Sequence, residues 1–139
     1  MKVPKKMLSA TIAVLACATL LPAAVDNSWL NKVPAKEHTR TNPYAGKPEA
    51  IAAGRIVFAE TCAKCHGDEA QGRHGRPSLR SEVIEHATDG DLAWLLRNGY
   101  AWKGMPSWNS LPEQERWQII TYLRSLPPEP KPDSGGNGR

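Results

Sequence analysis

The chain has 139 residues, 40% of them hydrophobic and 23% charged, and its mean hydropathy of −0.49 excludes a multi-span membrane protein. One Phe stands against five Trp and three Tyr, too little for an extensive self-sufficient core in a chain one domain long. The net charge of +4 rests largely on Lys2, Lys5 and Lys6; from residue 25 onward 15 Lys and Arg face 14 Asp and Glu, so there is no basic footprint for nucleic acid.

Those three lysines precede an uncharged apolar run, Met7 to Leu21, which ends in the small residues Pro22-Ala23-Ala24. A basic start, an apolar stretch of this length and a small-residue exit predict a secretory signal over residues 1–24. The run falls short of the roughly 20 apolar residues that span a bilayer. Val14-Leu15-Ala16-Cys17 has the form of a lipoprotein processing box, but the apolar run continues past it, which favours cleavage near Ala24 over lipidation of Cys17. A retained N-terminal anchor is the third route. All three place the folded part outside the cytoplasm, and cleavage leaves two cysteines, Cys62 and Cys65.

Residues 25–47 carry prolines and scattered charges without a period and read as an extended arm. The structured unit is expected over residues 48–126. Its first helix begins at Pro48, suited to the first helical position, and presents Ile51, Gly54, Phe58 and Cys62 on one face.

Cys62-Ala63-Lys64-Cys65-His66 follows, the C-x-x-C-H pattern of covalent haem attachment. Two thiols three positions apart at a helix end reach two vinyl groups of one porphyrin, and the next residue brings its imidazole to the iron. A thioredoxin-like redox pair would need a βαβ context that is missing here. A zinc site would need a second pair of ligands, and residues 25–139 hold no other cysteine.

Thr88-Asp89-Gly90-Asp91 is a capping-box pattern that opens a second helix with Leu92, Leu95 and Leu96, closed by Gly99. Beyond it lies Gly104-Met105-Pro106. Met105 is the sole methionine outside the leader, so it is the candidate sixth ligand; His38, His74 and His86 compete, each in a polar stretch that favours a solvated side chain. The third helix starts at Pro112 and carries the stripe Ile119, Tyr122, Leu123 and Leu126. Pro127 ends it, and residues 127–139, rich in Pro and Gly, are expected to be polyproline-like and then disordered. No segment alternates with period two, so the fold is predicted all-α. Three short helices need a staple to close a core, and a bound haem would supply it.

At this point residues 51–126 resemble a class I monohaem cytochrome c. Gly54, Phe58 and Cys62 have the spacing of that family's first helix, whose crossing partner on the last helix is matched by Tyr122. Arg76-Pro77-Ser78-Leu79 resembles the family's Gly-Pro-x-Leu loop, with Arg76 where Gly is usual. The resemblance implies a haem c sandwiched by three main helices. It implies covalent attachment at Cys62 and Cys65, axial ligation by His66 and Met105, and a Pro77 carbonyl that accepts the His66 ring N–H. Asn42-Pro43-Tyr44-Ala45-Gly46 resembles, more weakly, small bacterial cytochromes that take electrons from quinoprotein dehydrogenases. Trp94, Trp102 and Trp108 read as packing residues, with Trp102 or Trp108 able to cover the haem edge or bond a propionate.

The expected function is a periplasmic one-electron carrier between a dehydrogenase or reductase and the respiratory chain. It would act as a monomer without substrate chemistry of its own, with redox proteins such as a quinoprotein dehydrogenase and a terminal oxidase as partners. Two alternatives stand beside it: a haem subunit of a larger oxidoreductase, or a sensor or peroxidase-like protein if Met105 is unbound. Lys64, Arg73, Arg76, Arg80 and Lys103 would form a positive rim around the haem edge, diluted by Asp68 and Glu69.

Overall fold

A computed structural model describes residues 26–130. The predicted signal, Cys17 and the end of the tail lie outside the described residues. Six helices follow one another: α1 (Ala35–His38), α2 (Pro48–Thr61), α3 (Ala63–His66), α4 (Glu82–His86), α5 (Asp89–Asn98) and α6 (Glu113–Ser125). Among the described residues there is no strand, only two isolated bridges, Arg73 with Arg76 and Tyr100 with Met105.

The platform is the crossing of α2 and α6. Phe58 and Tyr122 meet there with ring centroids 5.3 Å apart at 56°, a tilted aromatic pair. Gly54 makes the crossing possible, since a Cβ on it would lie 1.9 Å from the Gln118 carbonyl oxygen. Ile119, Ile120 and Thr121 are fully buried beside Phe58. The buried face of α6 is therefore broader than its apolar stripe, because Ile120 and Trp117 are buried as well.

α5 opens as its sequence dictates. Thr88 Oγ1 accepts from the Asp91 N–H at 3.1 Å, and Asp91 Oδ2 accepts from the Thr88 N–H at 2.8 Å. α4 was not expected from the sequence. Arg124 of α6 finishes it, donating to the carbonyls of Ile84 (2.8 Å) and Ala87 (2.5 Å) and to Asp89 Oδ1 (2.8 Å).

The arm over residues 25–47 is not extended. It carries a 3-10 turn (Leu30–Lys32) and α1, and it buries Trp29, Val33 and Glu37. Burial alone would push the Glu37 carboxyl up, but hydrogen bonds from Arg40 and Arg97, each at 3.3 Å, outweigh it and hold the group below its ordinary range. Gly90 admits this helix, because a Cβ there would stand 1.8 Å from the Glu37 carbonyl oxygen. Asn42 ties the arm to the last two helices, its amide donating to Asp89 (3.1 Å) and to Thr121 Oγ1 (3.0 Å).

The start of the tail is likewise fixed. Arg80 Nε donates to the Pro127 carbonyl at 2.7 Å, and the Glu129 N–H donates to the Arg80 carbonyl at 3.0 Å. Residues 127–129, expected to open a polyproline-like stretch, are thus in contact with Arg80.

Candidate functional site

The end of α2 delivers the first thiol. Cys62 caps that helix through its N–H to the Phe58 carbonyl (2.8 Å), and its own carbonyl accepts from the His66 N–H (3.0 Å), so the chain turns directly into α3. Cys62 is buried beside Thr61 Oγ1 (3.3 Å) and Cys65 is exposed. Burial pushes the Cys62 thiol above its ordinary value, more than the Thr61 contact lowers it. Gly67, at φ 84°, stops α3 immediately after His66.

His66 is half-buried, and its Nδ1 donates to the Pro77 carbonyl oxygen at 2.9 Å. Burial lowers its imidazolium pKa, the Pro77 carbonyl opposes that, and the Arg76 charge adds to it. The neutral ring is thereby favoured, with Nδ1 committed to the Pro77 carbonyl and the Nε2 lone pair available to a metal. The loop over residues 67–81 sets this up by folding around Ala70, which is fully buried and accepts from the Leu79 N–H at 2.8 Å. A two-residue turn, with His74 at φ 49° and Gly75 at φ 77°, then lifts Arg76 and Pro77 out of the loop.

Met105 sits half-buried in the second loop, over residues 99–111. Its backbone exchanges two hydrogen bonds with Tyr100, from the Tyr100 N–H at 2.9 Å and from the Met105 N–H at 3.1 Å. Gly99 lets Pro106 close against the end of α5, and the Trp108 N–H donates to the Leu96 carbonyl at 2.8 Å. The residues fit a covalently attached haem: two thiols at one helix end, an imidazole oriented through Nδ1, and a thioether. Among the described residues no group of three or more His, Cys, Asp or Glu is arranged to hold a bare metal ion.

The competing histidines are engaged elsewhere or solvated. His38 pairs with Asp91, His86 Nδ1 donates to the Glu82 carbonyl at 2.7 Å, and His74 lies exposed in its turn. Trp94 and Trp108 are half-buried against the core, whereas Trp102 is 86% exposed. Two members of the expected positive rim face carboxylates and two donate to carbonyls while keeping their charge. Arg73 pairs with Asp68 (3.2 Å), Arg76 bonds the Lys103 carbonyl, Arg80 holds the tail, and Lys103 pairs with Asp26 at 3.3 Å. Lys64 is exposed and, among the described residues, has no ion-pair partner.

Sequence reasoning missed the contacts that hold the Met105 loop from outside. Asp26 reaches Lys103 and the Tyr100 hydroxyl, Ser28 Oγ lies 2.6 Å from that hydroxyl, and the Lys32 ammonium stands 5.0 Å from the Tyr100 ring centroid. The signal that could have pointed to them is faint: polar residues recurring from Asp26 onward, where a bare linker needs none.

A family model described as cytochrome c oxidase, cbb3-type, subunit III, matches residues 49–123. The chain is similar to cytochrome c550 of Pseudomonas aeruginosa, 34% identical over 129 residues, which covers 86% of this chain and 87% of that one. It is also similar to the cbb3-type cytochrome c oxidase subunit CcoP of Rhodobacter capsulatus, 34% identical over 86 residues, covering 53% of this chain and 28% of that subunit. Among solved structures, cytochrome cL of Methylophaga aminisulfidivorans superposes with a TM-score of 0.56 at 28% identity, covering 81% of this chain and 71% of that one.

Proposed function

The chain belongs to the c-type cytochromes, as an electron-carrying protein with covalently attached haem c, and on that premise we propose that it is a periplasmic one-electron shuttle whose axial ligands are His66 and Met105. The observation that carries this reading is the His66 Nδ1 hydrogen bond to the Pro77 carbonyl beside the paired cysteines. Haem iron supplies a one-electron Fe(III)/Fe(II) couple, and a thioether ligand favours its reduced state. The chain's own residues do the rest. Cys62 and Cys65 tether the group, Pro77 fixes the tautomer and plane of His66, and Tyr100 holds the backbone of Met105. With His66 and Met105 both bound to the iron, the haem would offer substrate no open site and would transfer electrons alone.

The proposed partners are a periplasmic dehydrogenase, of which a quinoprotein enzyme is the chief candidate, and a terminal oxidase. No helix among the described residues is long and apolar enough to cross a membrane. A second reading, a haem domain within an oxidase complex, draws support from the match to the subunit III family, although the chain spans about a quarter of that CcoP subunit. Absorption spectra of the purified protein in both redox states test the proposal. A haem c spectrum with the weak far-red band of thioether-ligated ferric iron is expected; a spectrum without that band overturns Met105 ligation. Stable co-purification with oxidase subunits would favour the second reading.

A further inference from the structure

We propose that Arg76 is a positioning residue that clasps the two ligand-bearing loops together and so keeps Met105 in place; this rests on His66 and Met105 being the axial pair. Arg76 directly precedes Pro77, whose carbonyl orients His66. Its guanidinium crosses to the other loop, where Nη1 donates to the Lys103 carbonyl at 2.9 Å. Among the described residues it is the hydrogen bond that joins residues 67–81 to residues 99–111. The fit is tight as well as polar. Gly104 has φ 76°, and a Cβ on it would stand 2.9 Å from Nη1, so the planar group lies against the bare backbone immediately before Met105.

The backbone on both sides is prepared for this contact. The turn from Arg73 to Arg76 closes with the Arg76 N–H on the Arg73 carbonyl at 2.9 Å, and Gly72 packs against the Arg76 carbonyl, which fixes the backbone from which the side chain leaves. On the far side, the paired Tyr100–Met105 hydrogen bonds make residues 100–105 a rigid unit. A pull on the Lys103 carbonyl is therefore a pull on Met105. The guanidinium is always charged, so the clasp does not open with pH, and its fixed positive charge disfavours Fe(III) over Fe(II).

The test is displacement of the sixth ligand by imidazole in the oxidised holoprotein, followed by stopped-flow absorbance, with reduction potential as a second readout. Arg76→Gly is expected to raise the imidazole association rate by about three- to tenfold, the factor that one hydrogen bond partly open to water supports, and to lower the potential. Arg76→Lys keeps a donor and the charge and is expected to recover most of the potential and part of the protection. It also serves if the glycine variant folds poorly. Equal imidazole rates in wild type and both variants, with the thioether band present in all, would overturn the clasp while leaving the axial assignment standing. A wild-type protein without the thioether band would overturn both.

Discussion

Gly54 and Gln118 are in backbone contact: a single added methyl on Gly54 would stand 1.9 Å from the Gln118 carbonyl oxygen. The whole site is hung from this crossing, since α2 carries the cysteines at its end and α6 braces α5. Gly54→Ala should force the two helices apart and cost at least about 1–3 kcal/mol, the usual penalty of overpacking. Urea unfolding of the holoprotein measures it, and a loss below about 0.5 kcal/mol would mean that the crossing relaxes freely.

Cys62→Ala combined with Cys65→Ala should abolish haem that survives denaturation and leave little folded protein, because the apolar group completes a core containing one Phe. Haem staining after denaturing electrophoresis and a circular dichroism melt report the two effects. A double variant that still unfolds cooperatively as a helical domain would show the core to be self-sufficient.

Met105→Ala should retain covalent haem, lose the far-red band and bind carbon monoxide in the reduced form. Its reduction potential should fall with the loss of the thioether. An unchanged oxidised spectrum would point to a histidine as the sixth ligand.

Three short helices were legible in the sequence because their information is local. Thr88 and Asp91 cap one another three residues apart, and Pro48 and Pro112 mark starts that need no distant partner. The cysteine pair and His66 were legible for the same reason. α4 was not, since Arg124, which completes it, comes 40 residues after Ile84. Nor was the folded arm: Trp29, Val33, Glu37 and Asn42 are single anchors without a period, and each one's partners lie far along the chain. The rim of cations was legible as charges but not as contacts, for a related reason. Composition counts charges but cannot see that Arg73 and Lys103 each face a carboxylate, or that Arg76 and Arg80 donate to carbonyls while keeping their charge.

Asn42→Ala should remove the amide that Thr121 and Asp89 share and destabilise the protein by about 1–3 kcal/mol, the cost of stranding partly buried polar partners. Chemical denaturation checks it. A change within error would return the arm to the status of a passive linker.

Acid should loosen the segment before α1. Hydrogen bonds from Ser28, its backbone N–H first and then its hydroxyl, with help from Lys103, hold the Asp26 carboxyl at about 2, below its ordinary 3.8. A depressed carboxylate stabilises the fold fully above the ordinary value and loses that contribution as pH falls from 3.8 towards 2. The protection of amides over residues 26–33, relative to their intrinsic exchange rates at each pH, should therefore fall across that window. Asp26→Asn should show faster exchange already at neutral pH and no step on acidification.

The reach of Arg124 across to α4 also bears on the order of events as the protein forms. Five residues are too few to persist as an isolated helix in water, and the last carbonyls of α4 find their donors on a side chain near the end of α6. The stretch between the cysteine motif and α5 can thus settle only once the last helix has docked. Until then the polypeptide around Cys62 and Cys65 is uncommitted on that side, and the thiols stay within reach of an incoming porphyrin. Closure around the cysteine motif therefore waits on the docking of α6.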